Sequence, residues 1–297
     1  MSHPTPTTLY SALARPSGGF SMVAVDARES MRAIFRDAGV PDSDADLSRF
    51  KELVADELAP LASAVLCDPL HGAAAIETMR IRHPETGLIV AVDYFDEPKY
   101  GPLTESSLDV HRMDAVVAGG GVDALKLYLY WRPDGVPHFR EDDARRFVER
   151  CRELGVLALL EGVVLAPGID PGFSDALVRA AEAMGRVAPD IYKTQLPTLG
   201  RADDASVERE AQRVTDVVGG PWVVLSNGVP ADRFLDATAA ACRGGASGAL
   251  VGRAVWRESL SAPDLADDLA TDGRARLAAL NDVVDRFARP WADAVAS

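Results

Sequence analysis

Short, nearly continuous apolar runs recur along the whole chain. They are Met22–Val25, Ala64–Leu66, Leu88–Val92, Ala124–Tyr130, Val156–Leu160, Ile191–Tyr192, Trp222–Leu225 and Ala249–Val251. Between them lie stretches with helical spacing, such as Glu141–Leu154, which puts Phe147, Val148, Cys151 and Leu154 on one stripe; Phe173–Met184 and Ala231–Cys242 are two more. Runs that do not alternate with polar residues predict strands buried on both faces, and helices between them predict a parallel sheet covered by helices. Eight such units in 297 residues predict a single α/β domain, a (β/α)8 TIM barrel. A doubly wound open sheet is the alternative. The barrel is favoured because no linker divides the chain and the runs recur every roughly 25–40 residues. Residues 1–14 read as a flexible or peripheral N-terminal extension.

The strand ends carry the first hint of chemistry. The runs end in, or contain, Asp26, Asp68, Asp93, Lys126, Glu161, Lys193 and Ser226. Reactive residues of such barrels sit at the carboxyl ends of strands, and a buried unpaired charge costs several kcal/mol. Any one aspartate can simply open a solvated loop; the series as a whole is hard to explain by packing.

Composition sharpens one feature. The chain carries 45 acidic and 31 basic residues, a net charge of −14, which excludes broad binding to nucleic acid or anionic membranes. Only four of the basic residues are lysine: Lys51, Lys99, Lys126 and Lys193. Two of these fall in strand runs, with Glu161 in the run between them. Neighbouring strands therefore carry Lys, Glu and Lys in order. A lysine must be neutral to attack a carbonyl, and in water its pKa is about 10.4. Desolvation and a nearby cation disfavour the ammonium, and a carboxylate can move protons. The pattern fits a Schiff-base enzyme, and it fits a buried ion pair tying strands together about equally well. Lysine scarcity tips it towards function.

The last two units end in Ser226-Asn-Gly228 and Gly252-Arg253. Barrel enzymes commonly hold a phosphate at this place with backbone N–H groups, a helix amino terminus and a bidentate arginine. Asp26 is a candidate contact for ligand hydroxyls, or else a helix cap. His71 reads as a loop residue. No His, Asp or Glu cluster has metal spacing, so no metal is expected, and no glycine fingerprint for a dinucleotide opens a helix. No cofactor is expected. The three cysteines, Cys67, Cys151 and Cys242, are odd in number and scattered, as in a reducing cytoplasm. No leader-like or membrane-length apolar segment is present, so a cytoplasmic chain is expected.

The segment Arg15-Pro-Ser-Gly-Gly-Phe-Ser-Met-Val-Ala-Val-Asp-Ala-Arg-Glu29 resembles the opening of class I sulfofructosephosphate aldolases, a group similar to the tagatose 1,6-bisphosphate aldolases. Ala124-Leu-Lys-Leu127, Asp190-Ile-Tyr-Lys193, Pro221-Trp-Val-Val-Leu-Ser226, Gly245-Ala-Ser-Gly248 and Gly252-Arg-Ala-Val-Trp256 continue the likeness in order. The resemblance implies a metal-independent barrel aldolase. It implies that Lys193 forms the Schiff base with dihydroxyacetone phosphate, with Lys126 and Glu161 as supporting lysine and proton-transfer carboxylate. Asp26 would contact substrate hydroxyls, and Ser226, Gly228, Gly252 and Arg253 would hold anionic groups. The implied substrate is 6-deoxy-6-sulfofructose 1-phosphate, cleaved to dihydroxyacetone phosphate and sulfolactaldehyde.

Three places depart from the sulfofructosephosphate pattern: Ala27 stands for glutamine, Lys193-Thr-Gln-Leu-Pro197 for Lys-Val-Glu-Met-Pro, and Glu161-Gly-Val-Val-Leu165 for Glu-Pro-Val-Val-Arg. Cys67-Asp-Pro-Leu-His-Gly72 is nearer the tagatose type, so a tagatose or fructose bisphosphate substrate is the alternative. Two other classes fit the residues: a non-covalent sugar-phosphate isomerase or epimerase using Glu161 and an aspartate, and a non-catalytic sugar-phosphate sensor. In each, the partner is a small phosphorylated sugar. A homo-oligomer is also expected; Trp256, Leu260 and Trp291 either serve an interface or pack the terminal helices.

Overall fold

All eight runs become strands of one barrel. The computed structural model describes residues 5–95, 106–135, 137–165 and 172–296. Its strands are β1 (Phe20–Ala24), β2 (Ala64–Cys67), β3 (Gly87–Ala91), β4 (Asp93–Phe95), β5 (Ser106–Leu108), β6 (Ala124–Trp131), β7 (Leu157–Val164), β8 (Ile191–Gln195), β9 (Trp222–Leu225) and β10 (Gly248–Val251). Eight of these close in the order β1-β10-β9-β8-β7-β6-β3-β2, every neighbouring pair parallel. The remaining two, β4 and β5, pair antiparallel between β3 and β6; strands this short leave no periodic signal in the sequence. Lys99 falls between them, outside the described residues.

Helices cover the outside where the spacing places them. Glu141–Leu154 is helical to the residue and stops at Gly155 in the left-handed conformation. The expected helix over Ala231–Cys242 begins as a single 3-10 turn, Ala231–Arg233, before Phe234–Arg243. Helix Asp44–Leu58 starts on a capping box between Ser43 and Asp46, and buries Leu47, Phe50, Val54 and Leu58 against the barrel. Lys51 lies on that same buried stripe, fully enclosed. The alternation of inward and outward residues divides the core in two. Outward side chains pack under the helices. Inward ones, including Phe20, Met22, Leu66, Ile89, Leu157, Leu159, Ile191 and Leu250, fill the lower barrel.

Residues 1–14, expected to be flexible or peripheral, are tied down from Thr5 onward. Helix Pro6–Leu13 buries Leu9, Tyr10 and Leu13 under the inner core and closes the bottom of the barrel. Tyr10 donates to the Asp190 carbonyl at 2.8 Å and stacks on Trp291 with ring centroids 4.8 Å apart. Trp291 is thus committed within the chain. So are Trp256 and Leu260, both buried, Trp256 with its ring edge-on to Phe50. Of the two alternatives, Trp256 and Leu260 pack within the chain, and Trp291 is half-buried against Tyr10. Among the described residues, no helix is long and apolar enough to cross a membrane.

The barrel seam rests on one glycine. Gly248 pairs with Phe20 at φ +134°, and a Cβ there would sit 2.0 Å from the Phe20 carbonyl oxygen. Gly248→Ala should therefore lower unfolding stability by about 3 kcal/mol or more in urea melts. Gly220→Ala, where a Cβ meets nothing within 4 Å, should change it by less than about 0.5 kcal/mol. Equal effects would refute this account of the seam.

Candidate active site

Above the apolar layers the inward positions turn ionic. On β6 they run Ala124, Lys126, Tyr128; on β7, Leu157, Leu159, Glu161; on β8, Ile191, Lys193. The register sets Glu161 directly beside Lys193, and Tyr128 beside Glu161. Lys126 sits one layer lower, level with Leu159 and Ala91. Asp26 and Asp93 follow the inward Ala24 of β1 and Ala91 of β3, so their carboxylates turn into the same space. The expected Lys–Glu–Lys row thus exists, with Glu161 inside its strand rather than at its end.

Three carboxylates surround the Lys126 ammonium. Its Nζ lies 2.7 Å from Asp26 Oδ2, 3.2 Å from Asp93 Oδ1 and 3.1 Å from Glu161 Oε2. Burial pushes its pKa down, but Asp26, Asp93 and Glu161 outweigh that and hold it well above the usual lysine value. Asp26 mirrors it: burial pushes the carboxyl up, and Lys126, Lys193 and Arg28 together hold it far below the usual range. Lys126 and Asp26 therefore stay charged across the working pH range, and neither donates or accepts a proton easily.

Lys193 is placed differently. Among the described residues its Nζ has one carboxylate contact, Glu161 Oε2 at 3.0 Å. It is 4% exposed, on the wall of a cavity of ≈ 290 Å³. Glu161 Oε2 thus touches both lysine nitrogens, yet it makes no hydrogen bond of good geometry among the described residues. Its lone pairs remain available to a ligand proton. The strand order alone casts Lys126 as a cation acting on its neighbour. The structure shows that charge already balanced by three carboxylates, so the two lysines differ in how many carboxylates hold each of them.

The cavity is also lined by Asp26, Ser226, Gly252 and Arg253, all expected, and by Arg28, Tyr128, Tyr130 and Asn227. Gly228 is not on its wall. It lies at φ +81° in an adjoining hollow with Arg201 and Arg257, which shares Ser226, Asn227 and Arg253 with the first. The helix after β10 is a single turn, Arg253–Trp256, with few peptide dipoles to sum. A bound anion would thus depend on backbone N–H groups and on Arg253. Burial, and then Arg257, lower the Arg253 pKa, while an arginine remains charged at neutral pH.

Of the three departures from the sulfofructosephosphate pattern, one touches the cavity. Ala27 lines it. Gln195 turns to β7 and accepts from the Val164 N–H at 2.8 Å, and Leu165 is 40% exposed beyond the strand. Asp93 is visible in the sequence as a strand end without a role, whereas Arg28 gives no signal of its own. It is nearly buried, donates to the Asp93 carbonyl at 3.0 Å and lies 3.3 Å from that carboxylate. Its position two residues beyond Asp26 is the available clue. Tyr128 follows from parity with Lys126. His71 lies in a turn, as expected, and no group of three His, Cys, Asp or Glu among the described residues could hold a metal ion.

Residues 20–258 match the family model for DeoC/LacD family aldolases. The chain is 27% identical to tagatose 1,6-diphosphate aldolase of Listeria monocytogenes over 94% of this chain and 91% of that protein. It is 28% identical to tagatose 1,6-diphosphate aldolase 2 of Streptococcus pyogenes over 93% and 94% respectively. Two solved structures share the fold. Fructose-bisphosphate aldolase of Plasmodium falciparum superposes with a TM-score of 0.71 at 13% identity, covering 97% of this chain and 99% of that one. An archaeal fructose-1,6-bisphosphate aldolase, solved with its catalytic lysine bound to a carbinolamine intermediate, gives 0.63 at 14% identity over 94% and 99%. The family match spans most of the barrel and all the residues of the ionic row: the chain belongs to the DeoC/LacD aldolase family and is a carbon–carbon lyase.

Proposed function

We propose that the chain is a class I aldolase cleaving a ketose 1-phosphate into dihydroxyacetone phosphate and a three-carbon aldehyde, with Lys193 as the imine-forming residue. One observation carries this reading: of the two lysines inside the barrel, Lys126 is held by three carboxylates and Lys193, among the described residues, by one, at a cavity wall. An amine kept as an ammonium by three carboxylates cannot attack a carbonyl, which leaves Lys193 as the candidate.

In this reading neutral Lys193 Nζ adds to the C2 carbonyl. The carbinolamine loses water to give an iminium, with Glu161 Oε2 within reach to move the protons. The C4 hydroxyl then loses its proton, the C3–C4 bond breaks, and the electron pair enters the iminium as an enamine. The aldehyde departs, C3 takes a proton, and water releases dihydroxyacetone phosphate and the free lysine. Lys126 stays an ammonium that holds Asp26, Asp93 and Glu161 in place. Asp26 presents its carboxylate to substrate hydroxyls. Ser226, Gly252 and Arg253 are the phosphate end; Gly228 reaches it through the adjoining hollow.

The C6 group distinguishes two substrates. The tagatose-type relatives support a second phosphate, as in tagatose or fructose 1,6-bisphosphate. The opening segment through Asp26 supports a sulfonate, as in 6-deoxy-6-sulfofructose 1-phosphate. A coupled assay on the three compounds ranks them. Neither reading requires a bound cofactor.

Borohydride added with dihydroxyacetone phosphate should trap a reduced adduct on Lys193 by peptide mass analysis, and Lys193→Ala should abolish both adduct and turnover. An adduct on Lys126 would move the imine to that residue, and no adduct would leave a non-covalent isomerase or a sensor. Arg253→Ala should raise KM for the best ketose phosphate about tenfold to a hundredfold, the value of a hydrogen bond to a charged group, with a smaller change in kcat. An unchanged KM would remove Arg253 from the phosphate end.

A further inference from the structure

Lys51 has no place in the chemistry above. It is on a helix outside the barrel, 0% exposed, on a stripe otherwise made of Leu47, Phe50, Val54 and Leu58. It does not line the cavity. A buried ammonium on an apolar stripe is unfavourable unless it is paired. Its partner is Asp68, also 0% exposed, just beyond the end of β2.

The pair does not end there. Asp68 Oδ1 accepts from the N–H groups of Leu70 and His71, each at 3.0 Å, and lies 3.6 Å from Arg28 Nε. Arg28 is 3.3 Å from Asp93, Asp93 is 3.2 Å from Lys126, Lys126 is 3.1 Å from Glu161, and Glu161 is 3.0 Å from Lys193. Every member of this row is under 9% exposed. Charges alternate along it from the helix layer to the barrel centre. With Asp26 included, four cations face four carboxylates.

We propose that Lys51 is a positioning residue for the imine-forming lysine: its ammonium fixes Asp68, which fixes Arg28, which shares Asp93 with Lys126. The proposal rests on Lys193 as the imine former. Without the Lys51 charge, Arg28 is the one cation paired with Asp68 among the described residues, beside the Leu70 and His71 N–H groups. Asp93 is then left to Lys126, and Lys126 shifts towards it and away from Glu161. The row also gains one net negative charge, which favours the ammonium of Lys193. The groups facing it are Glu161 and Asp26 at Lys193; Asp26, Asp93, Glu161 and Tyr128 at Lys126; Arg253 towards Glu161 and Tyr128; and Lys51, Arg28, Cys67 and His71 at Asp68.

The test follows borohydride trapping with dihydroxyacetone phosphate from pH 5.5 to 9.5, with thermal melts alongside. Lys51→Met should trap about tenfold more slowly at pH 7. Its pH midpoint should move up by about half a unit to one unit, because a lost cation favours the ammonium. Lys51→Arg keeps the charge and should keep the wild-type midpoint, whatever it does to the melt. The double variant Lys51→Met with Asp68→Asn restores neutrality. Its midpoint should return towards wild type while trapping stays slow, since Arg28 has lost Asp68. A folded Lys51→Met with wild-type rate and midpoint would overturn the proposal. So would a Lys51→Arg midpoint shifted as far as that of Lys51→Met. Should Lys51→Met not fold, a double variant that traps at the wild-type rate would overturn it equally. Wild-type enzyme that is not trapped at all counts against the Lys193 assignment instead, so the two failures are distinguishable.

Discussion

A buried ammonium needs carboxylates, and the arrangement at the top of the barrel follows from meeting that need at Lys126. Taking such a cation out of water costs several kcal/mol unless close counter-charges repay it. Here the counter-charges come from three separate places in the chain: beyond β1, beyond β3 and within β7. They converge only if the barrel closes in the observed register. A slip of one residue in β6 would turn Lys126 out towards the helices and strand three carboxylates in the interior. The ionic layer therefore specifies the register as firmly as the apolar layers beneath it do.

The same requirement separates the two lysines. One cannot lose its proton because three anions hold it. The other keeps a single shared carboxylate and a wall of the cavity. A pair of chemically identical groups acquires two roles from neighbours alone. The apolar floor below strengthens the effect, because Leu157, Leu159, Ile191 and Leu250 exclude water that would otherwise screen these charges. At the rim the sign reverses. Arg253, with Arg201 and Arg257 in the adjoining hollow, makes a cationic edge on a chain of net charge −14. The overall charge repels polyanions, whereas the rim can still select a small doubly charged one.

Much of this is legible in the sequence, for identifiable reasons. Parallel barrel strands are buried on both faces, so they read as unbroken apolar runs, and all eight are visible. Parity along a strand then places Lys126, Glu161 and Lys193 on one side. What escapes is whatever depends on contacts between distant segments. Arg28 and Asp93 sit 65 positions apart and meet only through the closed barrel. The short β4–β5 pair has too few residues to show a period. Gly228 matches a plausible phosphate loop, but a left-handed turn carries it into the next hollow. The N-terminal segment reads as flexible or peripheral because its composition is polar; its three buried residues, Leu9, Tyr10 and Leu13, are spaced for a helix that only the barrel bottom makes useful.

Lysine scarcity acquires a physical meaning at this point. The three lysines among the described residues all lie in one buried row: Lys51, Lys126 and Lys193. Elsewhere the basic residues are arginine, which suits exposed bidentate pairs such as Arg15 with Asp285. In the proposed mechanism, covalent chemistry accounts for only one of the exceptions, Lys193. At Lys126 the difference is geometric. An ammonium is a compact point charge with three donors in three directions, and three carboxylates approach it from three strands. A planar guanidinium offers its donors in one plane and needs more room. At Lys51 the difference is volume, since the side chain is fully enclosed under an apolar stripe. A composition dominated by arginine thus retains lysine where a small cation must be buried among carboxylates, and that condition holds along the row that ends at Lys193.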